Sequence, residues 1–278
     1  MIKITAAEVN KLRKQTGAGM MDCKKALVEN DGDFDKAIDY LRKKGQKVAA
    51  KRADKNASEG VVIAKTNTEK NFSIVVTISC ETDFVAKNQD FIDFVDSIAN
   101  VAINNAPKSI EELKALDLNG RSVEENVMDQ VGKIGEKIGL TRYEFVESAR
   151  TFSYNHQGNK LATILGFNKA DGEKVDQMGS ELAMQVAAMN PIAVDKANVS
   201  QEIIDKEIEI GKDQARQAGK AEELVERIAL GKLNRFYKDN TLLNQDFVRD
   251  TKKSVRQYLS EEDKDLTVTS FKRLMLGE

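Results

Sequence analysis

Residues 72–91 read FSIVVTISCETDFVAKNQDF, and the change of period inside this stretch decides the architecture. Phe72, Ile74, Val76, Ile78 and Cys80 alternate with Ser73, Val75, Thr77 and Ser79, the two-residue period of a strand with one dry face. From Asn88, a residue suited to a helix N-cap, the period lengthens. Phe91, Val95, Ile98 and Ala102 recur at intervals of three and four until Pro107 stops the helix. At the joint, where turn chemistry favours small polar residues, the chain places Phe84 and Val85. A phenylalanine there either tucks beneath the next helix as a staple or core member, or projects as a wedge with Asp83 offering an acceptor beside it.

Upstream, Thr5 to Glu8 form a capping box that starts a helix carrying Val9 and Leu12, with Gly17 and Gly19 as its stop. A second helix runs through MMDCKKALVEN, and a third through FDKAIDYLRKK, with Phe34, Ala37, Ile38 and Leu41 at helical spacing. The stretch DGDFD between them resembles the start of a calcium loop. Lys36 and Arg42 occupy the positions where such a loop needs glycine and a bidentate glutamate, so a capped turn is expected and no metal site. The basic stretch GQKVAAKRADKNASEG shows no sustained apolar face and reads as a mobile or helical connector.

Downstream, Ser109 with Glu112 and Ser122 with Glu125 open two helices, the second carrying Val127, Val131, Ile134 and Ile138 on one stripe. YEFVESARTFSYN and KLATILGF flank a glycine-containing turn at His156 and read as a hairpin. A helix through EKVDQMGSELAMQVAAMNP follows. The chain has two prolines, and each closes an apolar helix. One and the same offset matches Phe91 with Val175, Ile98 with Leu182 and Ala102 with Val186, the pattern of two related strand-plus-helix halves. Residues 200–237 predict two charged helices about Gly219, with Ile204, Ile208 and Ala215 facing Leu224, Ile228 and Leu233 across a thin seam that leaves the hairpin free to touch a partner. The closing LTVTSFKRLMLGE returns a strand to the second sheet.

The expected fold class is therefore α+β: a three-helix, UBA-like module and linker over 1–54, a core subdomain over 55–140, and a second over 141–278 with the inserted helical hairpin. With 43 Lys and Arg against 45 Asp and Glu among 278 residues, the net charge is −2, and no global field favours nucleic acid or an anionic membrane. No apolar run approaches the roughly 18 residues of a membrane span. Residues 1–4 lead directly into helix-start chemistry instead of a signal-peptide core. A soluble, cytoplasmic chain is expected, with Cys23 and Cys80 as buried thiols. One histidine, no tryptophan, no phosphate loop, no nucleophile elbow and no ligand-spaced Cys or His cluster argue against an enzyme or a cofactor. His156 lacks an identifiable nucleophile or orienting partner and reads as a turn or contact residue.

LRKQTGAGMMDCKKAL, residues 12–27, and CETDFVAKNQDF, residues 80–91, resemble the two signature segments of bacterial elongation factor Ts, and the likeness extends along nearly the whole chain. Glu81 stands where some members have Gln, and some relatives continue beyond the equivalent of Glu278. The resemblance implies a guanine nucleotide exchange factor for elongation factor Tu, needing no catalytic side chain or cofactor. It implies that Thr82, Asp83, Phe84 and Val85 dislodge the partner's Mg²⁺, that His156 presses a second partner element, and that Leu12, Arg13, Met20 and Met21 belong to an N-terminal docking motif. A homodimer through the hairpin is a further arrangement this reading allows. The competing expectation is a UBA-like protein-binding adaptor without exchange activity; co-purification with one stoichiometric GTPase separates the two. An enzyme using Cys80 or His156 is the third, excluded if alanine at both positions leaves activity intact.

Overall fold

The computed structural model describes residues 4–278; residues 1–3, part of the start that reads as lacking a signal-peptide core, lie outside the described residues. Three helices lead the chain: α1 (Ala6–Thr16), α2 (Met20–Glu29) and α3 (Phe34–Lys51). The Thr5–Glu8 capping box forms, and Gly17 closes α1 in the left-handed conformation that a glycine adopts without strain. Asp33 caps α3 by accepting from the Lys36 N–H at 3.1 Å, so DGDFD is a capped turn. Val9, Leu12, Cys23, Ala26, Leu27 and Ala37 make the core of this module.

The connector takes the helical of its two expected forms over its first part, but it is tied to a neighbour, which its pattern does not suggest. Its first seven residues continue α3, Gly45 is buried, and Val48 and Ala49 pack on the core of the next unit. A small-residue face, Gly45 against Gly132, lets α3 lie directly on α7 (Val123–Ile134); a Cβ on Gly45 would approach the Gly132 Cα to 3.2 Å. Such a face carries almost no hydrophobicity, which is why the pattern did not reveal it.

Next come β1 (Glu59–Thr66), β2 (Phe72–Cys80), α4 (Asp83–Ala86), α5 (Gln89–Asn105) and α6 (Ile110–Ala115). A small ladder of β3 (Asp117–Leu118) and β4 (Arg121–Ser122) then leads into α7. The chain continues with β5 (Gly139–Glu147), β6 (Arg150–Asn155), β7 (Leu161–Phe167), α8 (Val175–Met189), α9 (Gln201–Gln217) and α10 (Glu222–Asn240). It ends with β8 (Asp246–Phe247), β9 (Asp250–Ser254), α11 (Val255–Ser260) and β10 (Val268–Met275). Two antiparallel sheets, β1-β2-β5 and β10-β7-β6, form the centre.

The sheets pack face to face through Val62, Ala64, Val75 and Val146 on one side and Ala162, Ile164 and Leu274 on the other. Helix α5 covers the outer face of the first sheet and α8 that of the second. Strand β2 is thus buried on both faces and not on one, with Ser73 satisfied by donating to the Thr151 hydroxyl at 2.8 Å. YEFVESARTFSYN is likewise two strands: β5 pairs with β2, whereas β6 pairs with β7, and the chain changes sheet at Ser148 and Ala149. Most of β5, expected in the second subdomain, thus belongs to the first sheet. The strand-plus-helix halves do share their matched positions: Phe91, Ile98, Ala102, Val175, Leu182 and Val186 are all buried, and both helices end in a left-handed residue before proline.

In the hairpin the seam is made of smaller residues than expected: Gly211 and Ala215 against Val225, Ala229 and Leu233. Ile204 and Ile208 are only half-buried, and Leu224 faces solvent. The stripe on α7 ends with the helix at Gly135, so Ile138 is buried from the following turn instead. No helix among the described residues is long and apolar enough to cross a membrane.

Candidate partner-binding site

The central strand β2 delivers the corner. Its last residue, Cys80, is fully buried, its thiol pushed up to about 12 by that burial, and it donates to the Thr82 carbonyl at 3.3 Å. Thr82 keeps the extended conformation as N-cap of α4, its hydroxyl accepting from the Val85 N–H at 3.5 Å. A single helical turn has three outward directions, and they are used differently. Ala86 is buried, Val85 packs half-buried on the first core, and Phe84 is 84% exposed. The staple alternative for Phe84 is thereby removed, since the next phenylalanine, Phe91, fills the position under the sheet at 2% exposure.

Asp83 is expected to be an acceptor beside the wedge, and Lys87 already donates to it at 2.6 Å. That bond holds the Asp83 carboxyl below its ordinary range and raises Lys87. Both groups are exposed, so the pair can be exchanged for a partner's cation at little cost. Beside Phe84 lies an open groove of about 400 Å³ lined by Thr82, Val85, Asn88, Phe91, Lys133 and Ile134, among others. The Glu136 carboxylate backs the corner, accepting from Thr82 Oγ1 at 2.7 Å and from the Thr82 N–H at 3.0 Å. Sequence reading missed Glu136; a lone glutamate between a helix stop and a strand carries no pattern.

His156 opens the β6–β7 turn, exposed, with its Nδ1 2.8 Å from Tyr154 Oη. The turn is bolted to β1: Asn155 bonds the N–H of Ala64 at 2.7 Å and its carbonyl at 2.9 Å, and the Val62 N–H donates to the Asn159 carbonyl at 2.7 Å. Lys160 then pairs with Glu59 at 2.7 Å, and the charges of this pair reach Asp83 and Lys87. The histidine turn thus lies along β1, and Lys160 beyond it reaches Glu59, the residue of β1 that pairs with Cys80 at the foot of the corner.

Met20 and Met21 are 53% and 73% exposed at the start of α2, and Arg13 is exposed on α1. Lys133 of α7 lies between the N-terminal module and the corner: its aliphatic stem lies against Gly17, and the residue lines the groove beside Phe84. Leu12 is a correction. Its side chain is fully buried among the three N-terminal helices, so it belongs to their core and offers no surface to a partner.

An aromatic side chain projecting from an anchored corner, an exposed histidine turn and two exposed methionines leave aromatic and apolar groups facing solvent. No group of three or more His, Cys, Asp or Glu placed to hold a metal accompanies them among the described residues. The class is that of an α+β protein built on two antiparallel sheets with an N-terminal three-helix module. Comparison with known proteins gives the family. Residues 81–278 match the model of the family described as elongation factor TS. The chain is 51% identical to "Elongation factor Ts" of Christiangramia forsetii over 278 residues, covering all of both chains. It is 48% identical to that of Porphyromonas gingivalis over 275 residues, 99% of this chain and 98% of the relative. With that of Chloroherpeton thalassium the identity is 42% over 288 residues, all of both chains. The chain belongs to the elongation factor Ts family. It is accordingly a translation elongation factor, and the family supports elongation factor Tu as its partner.

Proposed function

We propose that the chain releases GDP from elongation factor Tu by inserting Phe84 into an apolar pocket between helices of the GTPase. Val85 and Thr82 hold the base of this wedge, and Asp83 exchanges Lys87 for a partner group. The exposure of Phe84, on a corner whose other residues are buried or hydrogen-bonded, is the observation that carries this reading. A protein that binds the nucleotide-free GTPase more tightly than the loaded form must weaken nucleotide binding by the same factor, because linkage is reciprocal. Displacing the partner's Mg²⁺ removes the charge neutralisation of the GDP phosphates, and release follows.

His156 presses a second element of the partner. Arg13, Met20 and Met21 dock on the GTPase domain, where flexible thioethers adapt to an uneven apolar surface. The hairpin α9–α10 supplies a further contact, to the GTPase or to a second copy of this chain. The test is to mix the chain with elongation factor Tu loaded with labelled GDP and follow nucleotide loss with and without excess Mg²⁺. Stimulated release that excess Mg²⁺ opposes is expected. Tight binding with no change in release rate would leave an adaptor instead.

A further inference from the structure

We propose that Glu136 is the positioning residue of the exchange corner, fixing Phe84 in its projecting pose before the partner arrives; this deepens the exchange reading and rests on it. Helix α4 has four residues, and one helical turn cannot hold itself, because it fixes about six dihedrals for a single hydrogen bond. Its geometry has to be imposed from outside.

Glu136 imposes it. One carboxylate oxygen accepts from the N–H of Glu81 at 3.1 Å and of Thr82 at 3.0 Å; the other accepts from Thr82 Oγ1 at 2.7 Å. Since the Thr82 hydroxyl gives its proton to Glu136, its lone pairs are left to face the Val85 N–H, the cap that starts α4. Bonds to an ionised acceptor are the stronger kind, and here three converge on the two residues preceding α4.

Glu136 is itself held. It follows Gly135, whose φ of 85° ends α7 abruptly. The next residue's N–H, that of Lys137, donates to the Glu81 carboxylate at 2.5 Å, so Glu136 grips the backbone of Glu81 and Glu81 grips the backbone just after Glu136. Arg52, just past α3, pairs with Glu81 at 2.7 Å, and the Lys137 ammonium donates to the carbonyls of Ala53 at 2.6 Å and Lys55 at 3.0 Å. The N-terminal module is thus tied to the corner through the same crossing, and the two partner-facing regions are presented as one body.

Without this acceptor the wedge has to be ordered during the encounter, which slows release at saturating factor. Glu136→Ala is expected to lower the maximal rate of labelled GDP release from elongation factor Tu about tenfold, the scale of one charged hydrogen bond. Glu136→Gln keeps an acceptor for the two amides and is expected to recover to within about threefold of the parent. The decisive readout is coupling: if Glu136 acts through the wedge, Phe84→Ala with Glu136→Ala releases GDP no more slowly than Phe84→Ala alone. Losses that multiply, or a Glu136→Ala rate equal to the parent's, overturn the proposal. The second result, obtained while Phe84→Ala is slow, leaves the exchange reading standing. No stimulation by the parent chain overturns both. Should Glu136→Ala not fold, Glu136→Asp, which keeps the charge but withdraws it by one methylene, carries the same expectations.

Discussion

Replacing Phe84 and Phe91 by alanine, one at a time, separates a side chain kept for a partner from one kept for the fold. Phe91 is 2% exposed beneath the first sheet, so its removal leaves a cavity. The expected loss is about 3–5 kcal/mol of stability, or roughly 10 °C in melting temperature. Phe84 is 84% exposed, so the folded chain hides only a sixth of the ring's surface. At about 25 cal/mol per Å² and about 200 Å² for the side chain, that fraction contributes under about 1 kcal/mol, and melting is expected to stay within about 2 °C of the parent. The exposed remainder is what a partner can bury, and full burial of a phenylalanine is worth about 1.5–3 kcal/mol. Phe84→Ala is therefore expected to slow stimulated GDP release about ten- to a hundredfold. Stopped-flow fluorescence with labelled nucleotide reads the rate and calorimetry reads the melting. An unchanged release rate, or a melting loss as large as that of Phe91→Ala, would mean that Phe84 serves the fold and not a partner.

Cys80 gives a prediction in alkali. Burial raises its thiol to about 12 from an ordinary 9.0, so the folded chain keeps the proton that the unfolded chain loses. The resulting stability is present below pH 9 and is lost as pH rises toward 12, at up to about 1.4 kcal/mol per pH unit. Urea unfolding between pH 8 and 10 should show this slope in the parent and not in Cys80→Ala; equal slopes would count against it. Both thiols are also buried and should resist alkylation until the chain is unfolded, as mass spectrometry of treated protein can establish. In the hairpin, a Cβ on Gly211 would lie 3.0 Å from the Ala229 Cα, so Gly211→Val should push α9 from α10. Amide exchange should then rise along both helices while β2 and β7 keep their protection; unchanged exchange would show that the seam tolerates the branch.

Sequence pattern exposed what is local and hid what is made between elements. The Thr5 and Ser122 capping boxes, the α5 stripe and the paired burial of α5 and α8 depend on a few neighbouring residues, and each is present. The break between β5 and β6 was not legible, because alternation reports a strand's faces and is silent on which sheet it joins. The second dry face of β2 was hidden for a related reason: Ser73 and Thr77 look like solvent-facing residues until an opposing sheet supplies Thr151 or simply covers them. Close helix crossings at Gly45 and Gly211 were missed because apolar periodicity scores bulk, whereas these contacts depend on its absence. The corner combines both cases. Phe84 was conspicuous as an aromatic where turn chemistry wants a polar residue, yet the same conspicuousness suits a staple, and only the position of Phe91 beneath the sheet decides between them. Glu136 was invisible for the opposite reason: a carboxylate 54 residues from the hydroxyl it orders has no local signature, and its importance exists only once the strand ends have been brought together.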